Sequence, residues 1–168
     1  MRTPHDIRGF TLVELIMVLV LLGVMAVVFL PGLSGTSAVK ERGFRDGVFT
    51  TLSHARRVAV ASRRFVCVTL TAGTGSSATV SVAMDPGSTP ETASSVTCSR
   101  AISLPSTLSA CTSNTLCAPT GVALGGAASV VFDPLGRSVS TPGTLVAATV
   151  TVSNQASVTV AADTGLVQ

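Results

Sequence analysis

The longest apolar stretch of the chain runs from Phe10 to Leu30 and contains one charged residue, Glu14. As a helix, its 21 residues extend about 31 Å, which matches the roughly 30 Å hydrocarbon core of a bilayer. Pro31 and Gly32 follow, where a secretory signal peptide would have a small-residue cleavage site. We expect this pair to kink or interrupt the helix. The pattern predicts a transmembrane segment.

A second pattern, from Thr36 to Ser62, repeats apolar residues at intervals of three to five positions. This spacing predicts an amphipathic helix whose apolar face lies on a sheet. That face comprises Val39, Phe44, Val48, Leu52, Ala55 and Ala59, widened by Phe49 and Val58. The charged side chains, Glu41 among them, fall largely on the other faces and give the helix a basic flank.

Alternating and β-branched residues predict strands in the rest of the chain. The clearest strands span 64–70, 78–84, 129–137, 147–153 and 156–162. A turn is expected from Gly73 to Ser77, and another at Asn154 and Gln155 within the last hairpin. Residues 85–128 are expected to be irregular or to hold a short extra strand. The whole pattern predicts an α+β fold, with a long N-terminal helix packed on an antiparallel β-sheet domain.

Composition supports this division of the chain. The 168 residues suffice for one small domain and an anchoring segment. Hydrophobic residues make up 46% of the chain and charged residues only 11%, which is unusual for a soluble enzyme. Beyond the apolar stretch the chain is rich in Ser, Thr, Ala, Val and Gly, which suits a thin domain of short strands and many turns.

The charge is unevenly distributed, although the net charge is only +3. Arg2 and Arg8 precede the apolar stretch, so we expect the N-terminus to stay in the cytoplasm while the rest of the chain crosses the membrane. Most of the other basic residues lie between Lys40 and Arg64. The basic character therefore belongs to the segment that follows the apolar stretch.

Five arginines are candidate contacts for nucleic-acid phosphates, because guanidinium groups bind phosphate without needing a particular motif. They are Arg56, Arg57, Arg63, Arg64 and Arg137. The alternative is that basic residues at the end of a helix complement its dipole and stay solvated. We favour this alternative and treat nucleic acid as a secondary partner hypothesis.

Four cysteines follow the apolar stretch: Cys67, Cys98, Cys111 and Cys117. An even number beyond an export segment favours two disulfides in an oxidising compartment. A zinc site is the alternative, but it would require ligands two to four residues apart, whereas the gaps here are 31, 13 and 6. We therefore expect no metal.

Three pairings of these cysteines are possible, and we predict Cys67–Cys98 with Cys111–Cys117. Cys67 lies inside the first predicted strand, and the segment that carries Cys98 can run alongside that strand. The step from Cys111 to Cys117 leaves room for a turn through Ser113 and Asn114.

Motifs of enzyme chemistry are missing from the sequence. It contains no HExxH, GxSxG or P-loop pattern, and the Gly73–Gly75 stretch is more typical of a hairpin turn than of a phosphate cradle. We therefore expect no catalytic residues, no cofactor and no enzymatic activity.

The residues "GFTLVE", Gly9 to Glu14, resemble the class III leader of the type IV pilin superfamily. They combine a short basic leader over residues 1–9, a Gly before the cleavage point, an aromatic residue after it, and Glu at the fifth position of the mature chain. The resemblance implies that a prepilin peptidase cleaves between Gly9 and Phe10. It also implies that the new amine of Phe10 is methylated.

The resemblance also gives Glu14 a role. In this superfamily the helix leaves the bilayer and packs in the filament centre, where Glu14 would pair with the N-terminal amine of a neighbouring or the same subunit. Because a buried carboxylate is tolerated only when paired, Glu14 would set the register of assembly. The segments implied are a cleaved leader (1–9), a transmembrane or filament-core helix (10–33), an amphipathic helix half (34–63) and a periplasmic β-rich domain (64–168).

Three downstream segments resemble one branch of the superfamily, the GspH/FimT-like pseudopilins and minor pilins. They are "HARRVAVASRRFVCVTL" (54–70), "FDPLGR" (132–137) and "VTVAADTGLV" (158–167). Together they most resemble the MshC-type minor pilin of mannose-sensitive haemagglutinin (MSHA) pili. This implies a structural minor pilin or pseudopilin of a type IV pilus or a type II secretion pseudopilus, which enters or primes a filament.

The resemblance implies partners and a location. The partners are other pilin or pseudopilin subunits, the prepilin peptidase, the inner-membrane assembly platform and, before assembly, membrane lipid. The location is the bacterial inner membrane, crossed once, with the C-terminal domain in the periplasm and later in a filament. FimT-like minor pilins capture DNA near a Gly-Arg-x-Arg element, but here Gly136 and Arg137 are followed by Ser138 and Val139, so the second Arg is missing.

Overall fold

The chain divides into two units, Met1–Thr36 and Ser37–Gln168, which are described separately below. A computed structural model describes residues 11–33, 37–87, 95–105 and 110–168.

The first unit contains one helix, α1, from Leu12 to Leu33. Thr11 caps it, since its side-chain Oγ1 accepts the backbone N–H of Glu14 at 3.3 Å. The helix continues past Pro31, so the expectation that it is interrupted there is wrong. Pro31 removes one backbone donor from the last turn, and only two residues of the helix follow it. A bend at Pro31 and Gly32 stays a prediction.

The side chains of α1 from Leu12 to Met25 are almost all apolar. Every large apolar side chain from Leu12 to Met25 is exposed. Among the residues that the structure describes, no helix combines the length and the hydropathy that a membrane crossing requires.

The second unit begins with helix α2, from Ser37 to Ser62. Its buried face contains most of the predicted apolar residues: Phe44, Val48, Leu52, Ala55 and Ala59. The helix ends where Arg63 adopts the left-handed conformation, with φ of 53°. The N–H of Arg64 then reaches back to the carbonyl of Ala59 at 3.2 Å, which satisfies one of the open carbonyls of the last turn.

Three residues of α2 differ from the sequence-based expectation: Val39, Phe49 and Glu41. Phe49 was expected to widen the apolar face, but it is 36% exposed. Val39 is 62% exposed although it was assigned to the apolar face, because it lies in the first turn, before the helix reaches the sheet. Glu41 is buried although it was assigned to the polar side. Its Oε1 accepts a hydrogen bond from Nδ2 of Asn154 at 3.0 Å, and this partner offsets the cost of burying the carboxylate.

Twelve strands follow in the described part of the second unit, and every pair among them is antiparallel. They are β1 (Val66–Thr71), β2 (Gly73–Thr74), β3 (Thr79–Met84), β4 (Arg100–Ala101), β5 (Ala110–Thr112), β6 (Thr115–Cys117), β7 (Ala123–Gly126), β8 (Ser129–Phe132), β9 (Ser138–Thr141), β10 (Thr144–Leu145), β11 (Ala148–Val152) and β12 (Val158–Val160).

The strands form two sheets, and α2 packs against both. The larger sheet has the order β10-β9-β8-β1-β3-β6-β5, and β4 pairs with the other end of β3. The smaller sheet has the order β12-β11-β7-β2. Helix α2 contacts β1, β3 and β8 of the larger sheet and β11 and β12 of the smaller one. The fold is therefore α+β, with a helix packed on antiparallel sheets, as predicted.

The core lies between α2 and the inner faces of both sheets. It follows the strand period of two: in β11, Ala148, Val150 and Val152 are buried, whereas the two threonines between them are exposed. The largest fully buried side chains are Phe44, Phe132 and Leu52. Valine supplies most of the remaining core, which suits half-buried strands because a β-branched side chain packs well on a pleated surface.

Two expectations for the irregular regions need correction. Gly73–Ser77 is not a simple hairpin turn, because Gly73 and Thr74 form β2 and pair with β7 of the smaller sheet before a 3₁₀ turn at Gly75–Ser77. The described residues of the interval 85–128 hold four strands, β4 to β7, where at most one was expected. These strands have only two to four residues, and three of them, β4, β6 and β7, pair with strands distant in sequence.

Candidate functional site

The N-terminal motif begins outside the described residues, so Gly9 and Phe10 have no structural account. The described part starts at the helix cap, where Thr11 accepts the N–H groups of Glu14 and Leu15 through its backbone carbonyl at 3.1 and 3.2 Å. Glu14 therefore lies in the first turn, where the helix dipole favours a negative charge.

The Glu14 carboxylate has apolar neighbours and is exposed. Its flanking residues, Val13 and Leu15, are also more than half exposed. It makes no ion pair with any residue that the structure describes. If α1 becomes buried, the Glu14 carboxylate must be paired with a positive charge. That charge has to come from outside the described residues of this chain.

The five candidate arginines belong to different environments. Arg137 is paired with Asp133: its Nε donates to Oδ2 at 2.8 Å, and its Nη2 lies 2.7 Å from the same oxygen. Asp133 is buried, and its Oδ1 also accepts the backbone N–H groups of Leu135 and Arg137 at 3.0 and 2.8 Å. This carboxylate therefore folds the Asp133–Arg137 turn and neutralises the arginine beside it.

Arg56 joins three segments of the chain. Its Nε donates to the carbonyl of Gly136 at 3.2 Å and to the carbonyl of Thr164 at 3.0 Å. Gly136 has φ of +79°, and a Cβ there would approach Cγ2 of Val60 to 2.9 Å. Segments 54–70, 132–137 and 158–167 therefore meet at one arginine.

Arg57, Arg63 and Arg64 complete the set. Arg64 donates through Nη1 to the carbonyl of Pro86 at 2.8 Å and so holds the start of the loop after β3. Arg57 and Arg63 are exposed, and neither makes a hydrogen bond or ion pair within the described part of the chain. Of the five candidate arginines, three therefore bind other groups of the same chain, and two have no partner among the described residues.

The first half of α2 carries two attachments that the sequence did not indicate. Besides the Glu41–Asn154 hydrogen bond, Arg45 donates through Nε to the carbonyl of Ala156 at 2.9 Å. Both partners belong to the turn between β11 and β12, where Asn154 has a positive φ of 53°. Charged residues that the pattern assigned to a solvated flank therefore hold the helix on the smaller sheet.

Both disulfides form with the predicted pairing. Cys111 and Cys117, with Cα atoms 5.7 Å apart, close the β5–β6 hairpin around a turn at Ser113 and Asn114. Cys67 and Cys98 have Cα atoms 6.0 Å apart. The Cys98 segment and the β5–β6 hairpin contribute few buried apolar residues, and the two disulfides hold them to the domain.

The reason given for the longer pairing was wrong in one respect. The segment that carries Cys98 does not lie alongside β1, because β3 and β8 flank that strand on its two sides. That segment lies one strand further out, where β4 pairs with β3. Asp85, which is buried, helps to hold it there by accepting the N–H of Thr97 through Oδ2 at 3.0 Å.

The described residues form no candidate metal site. Among them, no group of three or more His, Cys, Asp or Glu side chains is arranged to hold a metal ion. Sequence reasoning missed the roles of Asp133, Glu41 and Asn154. The "FDPLGR" stretch carried a signal for the first, since Asp before a Gly-containing turn often accepts backbone N–H groups.

The comparisons with known proteins concern the N-terminus and the fold. A family model described as the prokaryotic N-terminal methylation motif matches residues 5–30. No curated protein sequence matches the chain. Two crystal forms of the type IV minor pilin FimU of Pseudomonas aeruginosa strain PAO1 are similar in structure, with a TM-score of 0.47 and 13% identity in each case. The similarity covers 76% or 79% of this chain and 90% of the FimU chain.

Proposed function

We propose that this chain is a structural subunit, a minor pilin or pseudopilin, of a type IV pilus or a type II secretion pseudopilus. The observation that carries the proposal is the N-terminal methylation motif over residues 5–30. This motif coincides with the "GFTLVE" stretch and with the start of an apolar helix. The motif supports cleavage and methylation at the N-terminus. The exposed apolar side chains of α1 support assembly into a filament.

The surface of α1 supports a polymer-forming role. Its exposed side chains from Leu12 to Met25 gain roughly 25 cal/mol for each Å² of apolar surface that is removed from water. In the proposal, inner-membrane lipid covers this surface before assembly, and the α1 helices of neighbouring subunits cover it afterwards. Glu14 then pairs with the N-terminal amine of a neighbouring or the same subunit and opposes slipped arrangements.

The proposed processing requires two further partners. The prepilin peptidase cleaves after Gly9 and methylates Phe10, and the inner-membrane assembly platform then moves the subunit into the filament. The N-terminus faces the cytoplasm, and the domain that follows α1 faces the periplasm. Two disulfides support this side of the membrane, because such bonds persist in oxidising compartments.

Within this function we favour a minor pilin of the MSHA type, on the resemblance of the three segments that meet at Arg56. A DNA-binding role, as in FimT-like minor pilins, has less support. The Asp133 carboxylate neutralises Arg137, and Arg56 is committed to two backbone carbonyls. Arg57 and Arg63 alone leave few cations to follow a phosphate backbone.

Mass spectrometry of the protein from its native host tests the proposal. The expected N-terminus is N-methylated Phe10, and a Gly9→Val variant should keep its leader because a side chain crowds the bond to be cleaved. A Phe10→Leu variant is the matched control, because it changes the residue after the bond and leaves Gly9 intact. Assembled filaments that contain the chain with Met1 still present would contradict the proposal.

A further inference from the structure

A cavity of about 310 Å³ lies between the second half of α2 and the C-terminal tail, residues 163–168. Its lining consists of Phe49, Ser53, Arg56, Arg57, Leu166 and Val167. This volume falls at the lower end of the range for ligand pockets, which is roughly 300–1,000 Å³. The cavity lies within the second unit and is separate from the N-terminal motif.

One part of the lining is apolar and accessible. Phe49 is 36% exposed and Leu166 is 51% exposed, although both belong to a unit that buries most of its large apolar residues. Val167 lies beneath them and is nearly buried. Large side chains such as Phe49 contribute most when a partner removes them from water.

The other part of the lining is cationic and lacks a counter-charge. Arg57 is exposed and has no partner within the described residues. Arg56 lies beside it in the lining, with its Nε on the carbonyls of Gly136 and Thr164. No carboxylate is among the lining residues. The complementary ligand is therefore an anion that also carries apolar surface.

We propose that this cavity binds an acidic–apolar peptide segment of another protein. A side-chain carboxylate of the partner binds the guanidinium of Arg57, in the two-pronged geometry that guanidinium and carboxylate groups share. A neighbouring large apolar side chain covers Phe49 and Leu166. The cavity is held in shape before binding, because Arg56 already ties α2 to the tail.

A peptide fits this cavity better than a nucleic acid. A phosphate backbone binds through several cations spaced along it, and only two arginines line the cavity. Arg63, the other member of the five candidate arginines without a partner among the described residues, is not part of the lining. The apolar lining has no counterpart on a phosphodiester chain, whereas an acidic peptide supplies both parts.

Selection of phage-displayed random dodecapeptides on the full chain in lipid nanodiscs tests the proposal, with empty nanodiscs used to remove background. The variants are Arg57→Gln and Leu166→Ser, and Arg63→Gln is the matched control because it removes an equally exposed arginine outside the cavity. We expect selected peptides to place Asp or Glu next to a large apolar residue. A selected peptide should bind Arg57→Gln about tenfold more weakly, and Arg63→Gln within about twofold of the original chain.

The proposal would be overturned if no peptide were enriched above empty nanodiscs, or if the selected peptides lacked acidic residues. It would also be overturned if Arg57→Gln and Arg63→Gln weakened peptide binding equally, or if single-stranded DNA displaced the peptide at moderate salt. Self-association of the chain that Arg57→Gln abolishes would also overturn it, because the occupant would then be a second copy. The selection involves no filament, so its result is independent of the proposed function.

Discussion

Arg56 donates one hydrogen bond to the carbonyl of Gly136 at 3.2 Å, across 80 residues of sequence. The same Nε reaches Thr164, so that α2, the Asp133–Arg137 turn and the C-terminal tail are joined at one side chain. The neighbouring Arg57, one position along the helix, makes no such bond among the described residues. Two adjacent arginines therefore have different roles: one holds the domain together, and the other is available to a partner.

The stability of the domain should depend on Arg56 and not on Arg57. Arg56→Gln should lower the free energy of unfolding by about 1–2 kcal/mol, because hydrogen bonds that involve a charged group are worth about 1.5–3 kcal/mol and this one is only partly buried. Arg57→Gln is the control and should change it by less than about 0.5 kcal/mol. Denaturant unfolding of the full chain in detergent measures both, and equal effects would refute the distinction.

The buried contact between Glu41 and Asn154 should behave as a coupled pair. Glu41→Ala leaves the Asn154 amide without its acceptor and should cost about 1–3 kcal/mol of stability. Asn154→Gly removes the amide but tolerates the positive φ. A double-mutant cycle should give a coupling of at least about 0.5 kcal/mol. Strictly additive effects would mean that the hydrogen bond contributes nothing beyond the two separate residues.

Loss of the two disulfides should have unequal effects. Replacing both Cys67 and Cys98 by Ser should destabilise the domain more than replacing both Cys111 and Cys117. The chain-entropy model gives a difference in the free energy of unfolding of roughly 1.5 kcal/mol. The reason is that the first bond joins cysteines 31 residues apart and the second joins cysteines 6 residues apart. Unfolding of the two double variants under non-reducing conditions measures this difference, and an equal or reversed order would contradict it.

Peptide mapping of the oxidised protein checks the connectivity independently. A Cys67–Cys111 or Cys67–Cys117 peptide would show that the pairing is wrong, and free thiols throughout would remove the argument for a periplasmic domain.

Glu14 should be needed for assembly and not for membrane insertion. Glu14→Val should insert at least as well as the original chain, because the substitution removes a carboxylate from an apolar segment, a group whose cost rises to roughly 2.5–3.5 kcal/mol at the centre of a bilayer. The variant should nevertheless enter filaments poorly. Quantitative immunoblots of membrane and sheared-filament fractions measure both steps, with Leu15→Met as an apolar control. Normal incorporation of Glu14→Val would exclude a register role for this residue.

Nucleic-acid binding by the full chain should be weak and non-specific. With Arg137 paired and Arg56 bound to carbonyls, only Arg57 and Arg63 of the candidate set are exposed and unpartnered in the described part of the chain. A gel-shift assay in detergent should show retardation of DNA only at low salt, because a contact through few cations is readily displaced by salt. Binding that persists at moderate salt and is lost in Arg57→Gln would instead favour a DNA-capture role.

Local periodicity along the chain was enough to predict several features of the fold. The apolar face of α2 around Phe44, Val48 and Leu52, the strand β1 and the β11–β12 hairpin all follow from the period of side chains along a helix or a strand. The cysteine pairing was also predictable, although the strand neighbour assumed for Cys98 was not. The N-terminal motif needs no fold, because a peptidase recognises a short stretch of sequence.

Features that depend on partners distant in sequence could not be predicted and are known only from the folded chain. Strands as short as β2 and β4 carry no readable period, and each forms because a neighbour supplies its hydrogen bonds. Charge gave no indication of burial: Glu41 is buried because Asn154 lies opposite it, 113 residues later. Likewise, Arg56 and Arg57 are identical in sequence terms, and their roles differ because only one faces two open backbone carbonyls.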